Sequence, residues 1–250
     1  GKCASALGNV NVRLEHYPEA LENYQEAKVH FASIMGPESR TVAAMTSNMG
    51  VAYLELDSFD QALEAHLEAL EVREKTNPPG HSNFGMSYNN IGEVYLRKGD
   101  LELAESYFLK TRENWLAARG PNHMNLAIVA YNLGDVKLAQ GNLEEALDHY
   151  QEAVGILDNE KNGVGWGERQ GSFKPSSYPL MLEVLRRKAK AVQKLPGEDR
   201  LLAAGIYQEI TQLILEMRNG FASEISGREL VGLSLGIYEE AIQFYLGIQS

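Results

Sequence analysis

Small and apolar residues recur along the first part of the chain at a spacing of 42 residues. Gly8, Gly50, Gly92 and Gly134 hold that interval, and each follows an apolar residue: Leu7, Met49, Ile91 and Leu133. Ala20, Ala62, Ala104 and Ala146 keep it, as do Tyr17, Phe59, Leu101 and Leu143, and the larger side chains Tyr24, His66, Phe108 and Tyr150. A period of about 20–50 residues marks an array of like units, each unable to bury its apolar face alone. Within a unit the spacing is helical. Ala20, Tyr24 and Ala27 fall at i, i+4 and i+7, on one face of a helix, and Ala62, His66 and Ala69 repeat them. Between the glycine and the alanine the helix breaks: Pro18 suits a first turn, and Gly99-Asp100 and Gly141-Asn142 suit a helix end followed by a new cap. Each unit is therefore predicted to be a helical hairpin. Two helix axes approach where glycine or alanine replaces bulk, and the large side chain of the second helix fills the adjacent hole. Turns at Gly36-Pro37-Glu38, Pro78-Pro79-Gly80 and Gly120-Pro121-Asn122, in the same register, end the second helices.

Four such units cover residues 1–158, and then the period slips. Tyr207-Gln208-Glu209 echoes Tyr24-Gln25-Glu26 and Tyr150-Gln151-Glu152, with Ala203 as the small residue, so a divergent fifth hairpin is expected over 178–219. The inserted stretch 159–177 contains Gly163, Gly165, Gly167, Gly171 and Pro175, a composition that cannot sustain a helix and predicts a mobile loop. Over 220–250 a last apolar stripe, Leu230, Leu233, Ile237, Ala241 and Tyr245, predicts a helix that caps the stack.

The Leu-Gly, Ala, Tyr/Phe, Ala series resembles the tetratricopeptide repeat. The 42-residue period and the Gly120-Pro121-Asn122-His123 turn are similar to the longer repeats of kinesin light chains. Asn11 and Lys137 depart from the column of Tyr53 and Tyr95, and Thr111 from that of Ala27, Ala69 and Ala153. The resemblance implies an all-α, right-handed superhelical solenoid of antiparallel helix hairpins, used to hold other proteins rather than to catalyse. It also implies that the first helices line a concave surface. Residues two before each glycine and one after it then face a bound chain. Asn48, Asn90 and Asn132 fill the first of these columns, where an asparagine amide can grip the backbone of an extended peptide through its donor pair and acceptor. Met86, Asn89, Tyr131 and Leu96 offer apolar pockets around them, and Glu93 and Asp135 offer negative charge, which favours a ligand with a basic residue. The cationic clamp by which some members of the family hold acidic chaperone tails is incomplete. Asn9 and Asn48 match part of it, but Ser5, Met86 and Asn90 stand where cations are required. A bound carboxylate would be left desolvated and unpaired.

The chain of 250 residues carries a formal charge of −11, which disfavours general affinity for nucleic acid or an anionic membrane and favours neutral or basic partners. The charge is uneven. Residues 1–160 hold 12 Lys/Arg against 24 Asp/Glu, and residues 161–250 hold 11 against 10. The basic run Arg186, Arg187, Lys188, Lys190 and Lys194 is either a solvated face or a second interface, as is Trp166 in the glycine-rich insertion. No cofactor, metal cage or nucleophile motif is apparent. The six histidines are scattered, Cys3 is the sole cysteine, and Gly163-Val164-Gly165-Trp166-Gly167 lacks the strand before it and the Lys-Ser/Thr after it that a phosphate cradle needs. The reading is of a non-enzymatic, intracellular protein that binds a polypeptide or serves as an arm of a larger assembly. A start at Gly1 rather than Met is consistent with a segment of a longer protein.

Overall fold

The computed structural model describes residues 1–121, 123–158, 177–220 and 227–249. They form eleven α-helices and, among the described residues, no strand pairs into a sheet. The helices divide between two compact units, residues 1–121 and 122–250.

Unit 1 contains three hairpins: α1 (Lys2–Arg13) with α2 (Tyr17–Met35), α3 (Arg40–Glu55) with α4 (Phe59–Thr76), and α5 (Ser82–Lys98) with α6 (Leu101–Arg119). Each second helix begins at the Tyr17, Phe59, Leu101 column, and each first helix carries the repeat glycine. The glycine is required by contact with the second helix. A Cβ on Gly8 would stand 2.5 Å from the Tyr24 ring, on Gly50 2.6 Å from His66, and on Gly92 2.7 Å from Phe108. Ala20, Ala62 and Ala104 are fully buried on the opposing helices, so close packing accounts for both small-residue columns. Successive hairpins meet through α2 against α3 and α4 against α5. Phe31 packs with Val42 and Met45 in one shared core, and ion pairs also bridge neighbouring hairpins, Lys28–Glu68 at 2.8 Å from α2 to α4 and Lys98–Asp60 at 2.9 Å from α5 to α4.

Unit 2 pairs α7 (Met124–Ala139) with α8 (Leu143–Leu157) and α9 (Tyr178–Val192) with α10 (Leu202–Gly220), the second pair joined through a 3-10 turn at Gly197–Leu201. The glycine rule persists, since a Cβ on Gly134 would lie 2.7 Å from Tyr150. The last helix, α11 (Gly227–Gln249), packs on α10. Its buried stripe is Ile237, Ala241 and Phe244; Tyr245, expected within the stripe, stands at its edge, 38% exposed, donating from its hydroxyl to Ala204 O at 3.3 Å. Leu230, Leu233 and the insertion 159–176 lie outside what is described at side-chain level.

The turns inside the hairpins share a left-handed residue at one register. It is glycine in the third and fourth hairpins, Gly99 (φ 90) and Gly141 (φ 83), but Glu15 (φ 60) and Asp57 (φ 53) in the first two. A side chain there costs roughly 1–2 kcal/mol. Glu15→Gly is therefore expected to stabilise the chain by about 1 kcal/mol in urea unfolding, after the greater flexibility of glycine when unfolded is counted. Asp57→Gly should gain less, because it removes the Asp57–Arg97 pair at 2.6 Å. No gain at Glu15 would show the left-handed turn to be unstrained.

Candidate functional site

The three first-helix asparagines do not share one environment. In unit 1, Asn48 is half-buried, and among the described residues its amide has no hydrogen-bond partner. Asn90, on the neighbouring first helix α5, is also half-buried and donates from Nδ2 to Ser47 Oγ in a long bond of 3.4 Å. Met86, one helical turn before Asn90, is 48% exposed. These three side chains give the first-helix side of unit 1 unspent amide capacity beside an exposed thioether, a combination suited to a main chain and an apolar side chain. Asn89 is buried and donates to Glu93 Oε1 at 2.8 Å, so both members of that pair are engaged within their own helix.

In unit 2 the corresponding residues are covered. Asn132 is 3% exposed and has its interactions inside the protein. In this unit α9 lies against α7 and engages the residues around Asn132. The Arg187 guanidinium sits 4.7 Å from the centroid of the Tyr131 ring and forms an ion pair with Asp135. Asp135 also accepts from the Tyr150 hydroxyl at 2.6 Å. Unit 1 shows the same device, Tyr24 donating to Asn9 Oδ1 at 2.8 Å. The residue after the repeat glycine thus ties down the ring that fills the hole beside that glycine. Burial pushes the hydroxyls of Tyr24 and Tyr150 up from their ordinary value, so both stay protonated donors.

The basic run on α9 is partnered by this chain. Arg186 donates from Nε to Glu240 Oε2 at 2.8 Å, Lys190 reaches Glu240 at 2.9 Å, and Arg187 Nε donates to Glu183 at 2.8 Å. The hydrogen bond from Arg186 holds the Glu240 carboxyl below its usual range, and the same bond raises Arg186. Asp135, Arg187, Glu183, Arg186, Glu240 and Lys190 form an alternating series across α7, α9 and α11, with the charges matched. Trp166 lies outside the described residues.

The second hairpin has an unusually polar interior. His66 replaces the Tyr or Phe of the other hairpins at 1% exposure, and among the described residues neither ring nitrogen has a hydrogen-bond partner. Val51 stands after the glycine here, where Asn9 and Asp135 supply acceptors elsewhere. Burial lowers the imidazole pKa to about 4, with the charge of Arg73 adding to the effect. Arg73 is buried where the register places Phe31, Trp115 and Leu157; it donates from Nη1 to Ser87 Oγ at 2.5 Å. Thr46 Oγ1 and Asn77 Oδ1 are buried without partners.

The turn histidines have a structural task. His81 Nδ1 accepts from Asn83 N and His123 Nδ1 from Asn125 N, both at 3.2 Å, capping α5 and α7 as the Ser39 hydroxyl caps α3. Among the described residues no group of three or more His, Cys, Asp or Glu is placed to hold a metal ion, and no helix is long and apolar enough to cross a membrane.

Repeated hairpins, a glycine column locked by rings, and partly unspent polar side chains on first helices define a helical-repeat interaction scaffold. The tetratricopeptide-repeat signature matches residues 3–75 and 84–159, and the chain belongs to that family. Its solved structural neighbours include kinesin-light-chain-like repeat proteins and a peptide-bound regulator. BtubC (BKLC) from P. vanneervenii superposes with a TM-score of 0.65 at 16% identity, covering 89% of this chain and 82% of that one. A kinesin light chain protein of Podosopora anserina with nearly identical TPR-like repeats gives 0.63 at 16%, covering 88% and 96%. The Rap conjugation gene regulator of the plasmid pLS20, in complex with the Phr* peptide, gives 0.66 at 17%, covering 98% of this chain and 66% of that one. At these identities the likeness is one of fold. No curated protein matches the sequence.

Proposed function

We propose that the protein is a non-enzymatic, intracellular scaffold that holds an extended peptide or partner segment against its first helices, chiefly in unit 1. The observation that carries this reading is the Asn48 amide, half-buried yet without a partner among the described residues, next to Asn90 and the exposed Met86. An accessible amide with no partner within the protein can exchange water for a peptide backbone without regard to sequence. The peptide complex of the Rap regulator supports the same use of the fold. Net charge of −11 favours neutral or basic partners over nucleic acid or anionic membrane.

The test begins with affinity capture from the native host and a calorimetric Kd for the captured segment. Asn48→Ala with Asn90→Ala is expected to weaken that Kd by about 10–100-fold, the worth of two hydrogen bonds, with helicity intact. Wild-type affinity in the double variant removes the reading. It would leave the alternative of a structural subunit or sensor arm of a larger assembly, favoured by the exposed stripe Leu235, Ile242 and Leu246 on α11.

A further inference from the structure

Unit 2 holds a cavity between α8, α9 and α10. Its volume is about 430 Å³, within the roughly 300–1,000 Å³ typical of ligand sites. Leu147, Val192, Leu195, Leu202 and Ile206 supply apolar walls. Gly205, in the first turn of α10, is part of the lining, and a Cβ there would meet nothing within 4 Å. This glycine differs in kind from the repeat glycines. No ring presses on it, and the space beside its Cα at the cavity wall is open.

The polar groups have a definite sign. Lys188 is the one cation among the described lining residues, set on α9 between the α8 and α10 walls and donating to Gln151 Oε1 at 2.5 Å. Burial lowers its pKa, and the opposing influence is the carboxylate of Glu209, which faces it. Glu209 therefore balances Lys188, and Asp148, exposed on α8, is an additional negative charge. An apolar body inserted here would meet a net negative edge. Leu202 adds an apolar shoulder that is 63% exposed, larger than the cavity alone needs.

We propose that this cavity is a docking site for a partner segment that inserts a bulky apolar side chain and carries a lysine or arginine beside it, the cation meeting Asp148. The commitment to a basic partner rests on the charge of the described lining residues, Lys188 against Asp148 and Glu209. The site is separate from the first-helix reading and stands or falls without it.

The test uses the full chain with carbon-13 methyl-labelled Ile, Leu and Val, titrated with three probes sharing one apolar body: phenethylammonium, phenethyl alcohol and phenylpropionate. Expected are shifts of the Ile206, Val192 and Leu147 methyls at millimolar probe, strongest for the cation and weakest for the anion. Asp148→Asn, at an exposed position, should weaken the cation by about threefold, the effect of one exposed charge pair, and leave the alcohol unchanged. Gly205→Leu, which fills the volume and improves helix propensity, should abolish binding of all three probes with the thermal midpoint maintained or raised. The proposal is overturned by absence of methyl shifts with every probe, by equal or tighter binding of the anion, or by undiminished binding in Gly205→Leu. If that variant does not fold, the Asp148→Asn arm and the order of the probes still decide.

Discussion

Replacing Gly92 with alanine is expected to destabilise the chain by about 2 kcal/mol, although alanine is the better helix former by about 1 kcal/mol. The added Cβ would stand 2.7 Å from Phe108 Cε1, and that ring is fully buried with no room to retreat. The cost is overpacking at the closest approach of two helix axes. Two companions isolate the cause. Phe108→Leu should be less harmful in the Gly92→Ala background than in the wild type, giving a coupling of about 1 kcal/mol in a double-mutant cycle. Gly205→Ala should stabilise the chain, since its Cβ meets nothing. Urea midpoints at constant slope are the measurement. A Gly92→Ala chain as stable as the wild type would mean that the hairpin axes are free to separate.

The second large effect is at His66, which folding buries neutral. Its pKa falls from 6.5 to about 4, chiefly by desolvation with Arg73 contributing. The unfolded chain therefore binds a proton between those values that the folded chain does not. Its contribution to stability is complete above pH 6.5 and is lost as pH falls toward 4. At ~1.4 kcal/mol per pH unit the whole loss is about 3 kcal/mol. His66→Phe, copying Phe108, removes two unpartnered nitrogens and the proton linkage together. The variant should be more stable at pH 7 by about 1–3 kcal/mol. The difference between variant and wild type should widen on acidification, which separates His66 from the carboxylates that titrate in both proteins. A difference that stays constant from neutral pH to pH 4 would show that His66 is hydrated or paired in solution.

The glycine-to-ring contacts were legible in the sequence because both partners recur at one interval and the reason for each is steric. Gly8 with Tyr24 and Gly134 with Tyr150 need no knowledge of distant residues. The same period held a signal that went unread: Glu15 and Asp57 share a register with Gly99 and Gly141, and the shared backbone angle follows from that alignment. Ser39, His81 and His123 share a register in the same way, and each accepts from the backbone N–H at the start of the helix that follows. The charges on α9 were harder. Arg187 finds Asp135, and Arg186 and Lys190 find Glu240, across about 50 residues of sequence, so no local pattern distinguishes a solvated run from an internal one. Asn132 shares its column with Asn48 and Asn90 yet is 3% exposed where they are half-buried, a difference the repeat period does not carry. The cavity lined by Leu147, Lys188 and Ile206 depends on three helices at once and left no trace in the period.

The tie between a core tyrosine and the residue after the repeat glycine has a consequence for how such an array acquires new binding habits. Where the core ring bears a hydroxyl, as at Tyr24 and Tyr150, the outward-facing Asn9 or Asp135 is held by it. Where the ring is Phe108, Glu93 turns instead to its helical neighbour Asn89. A single oxygen atom deep in a hairpin therefore sets which neighbour that side chain engages, and the palette offered to a visitor can be redrawn from the interior without touching the surface itself.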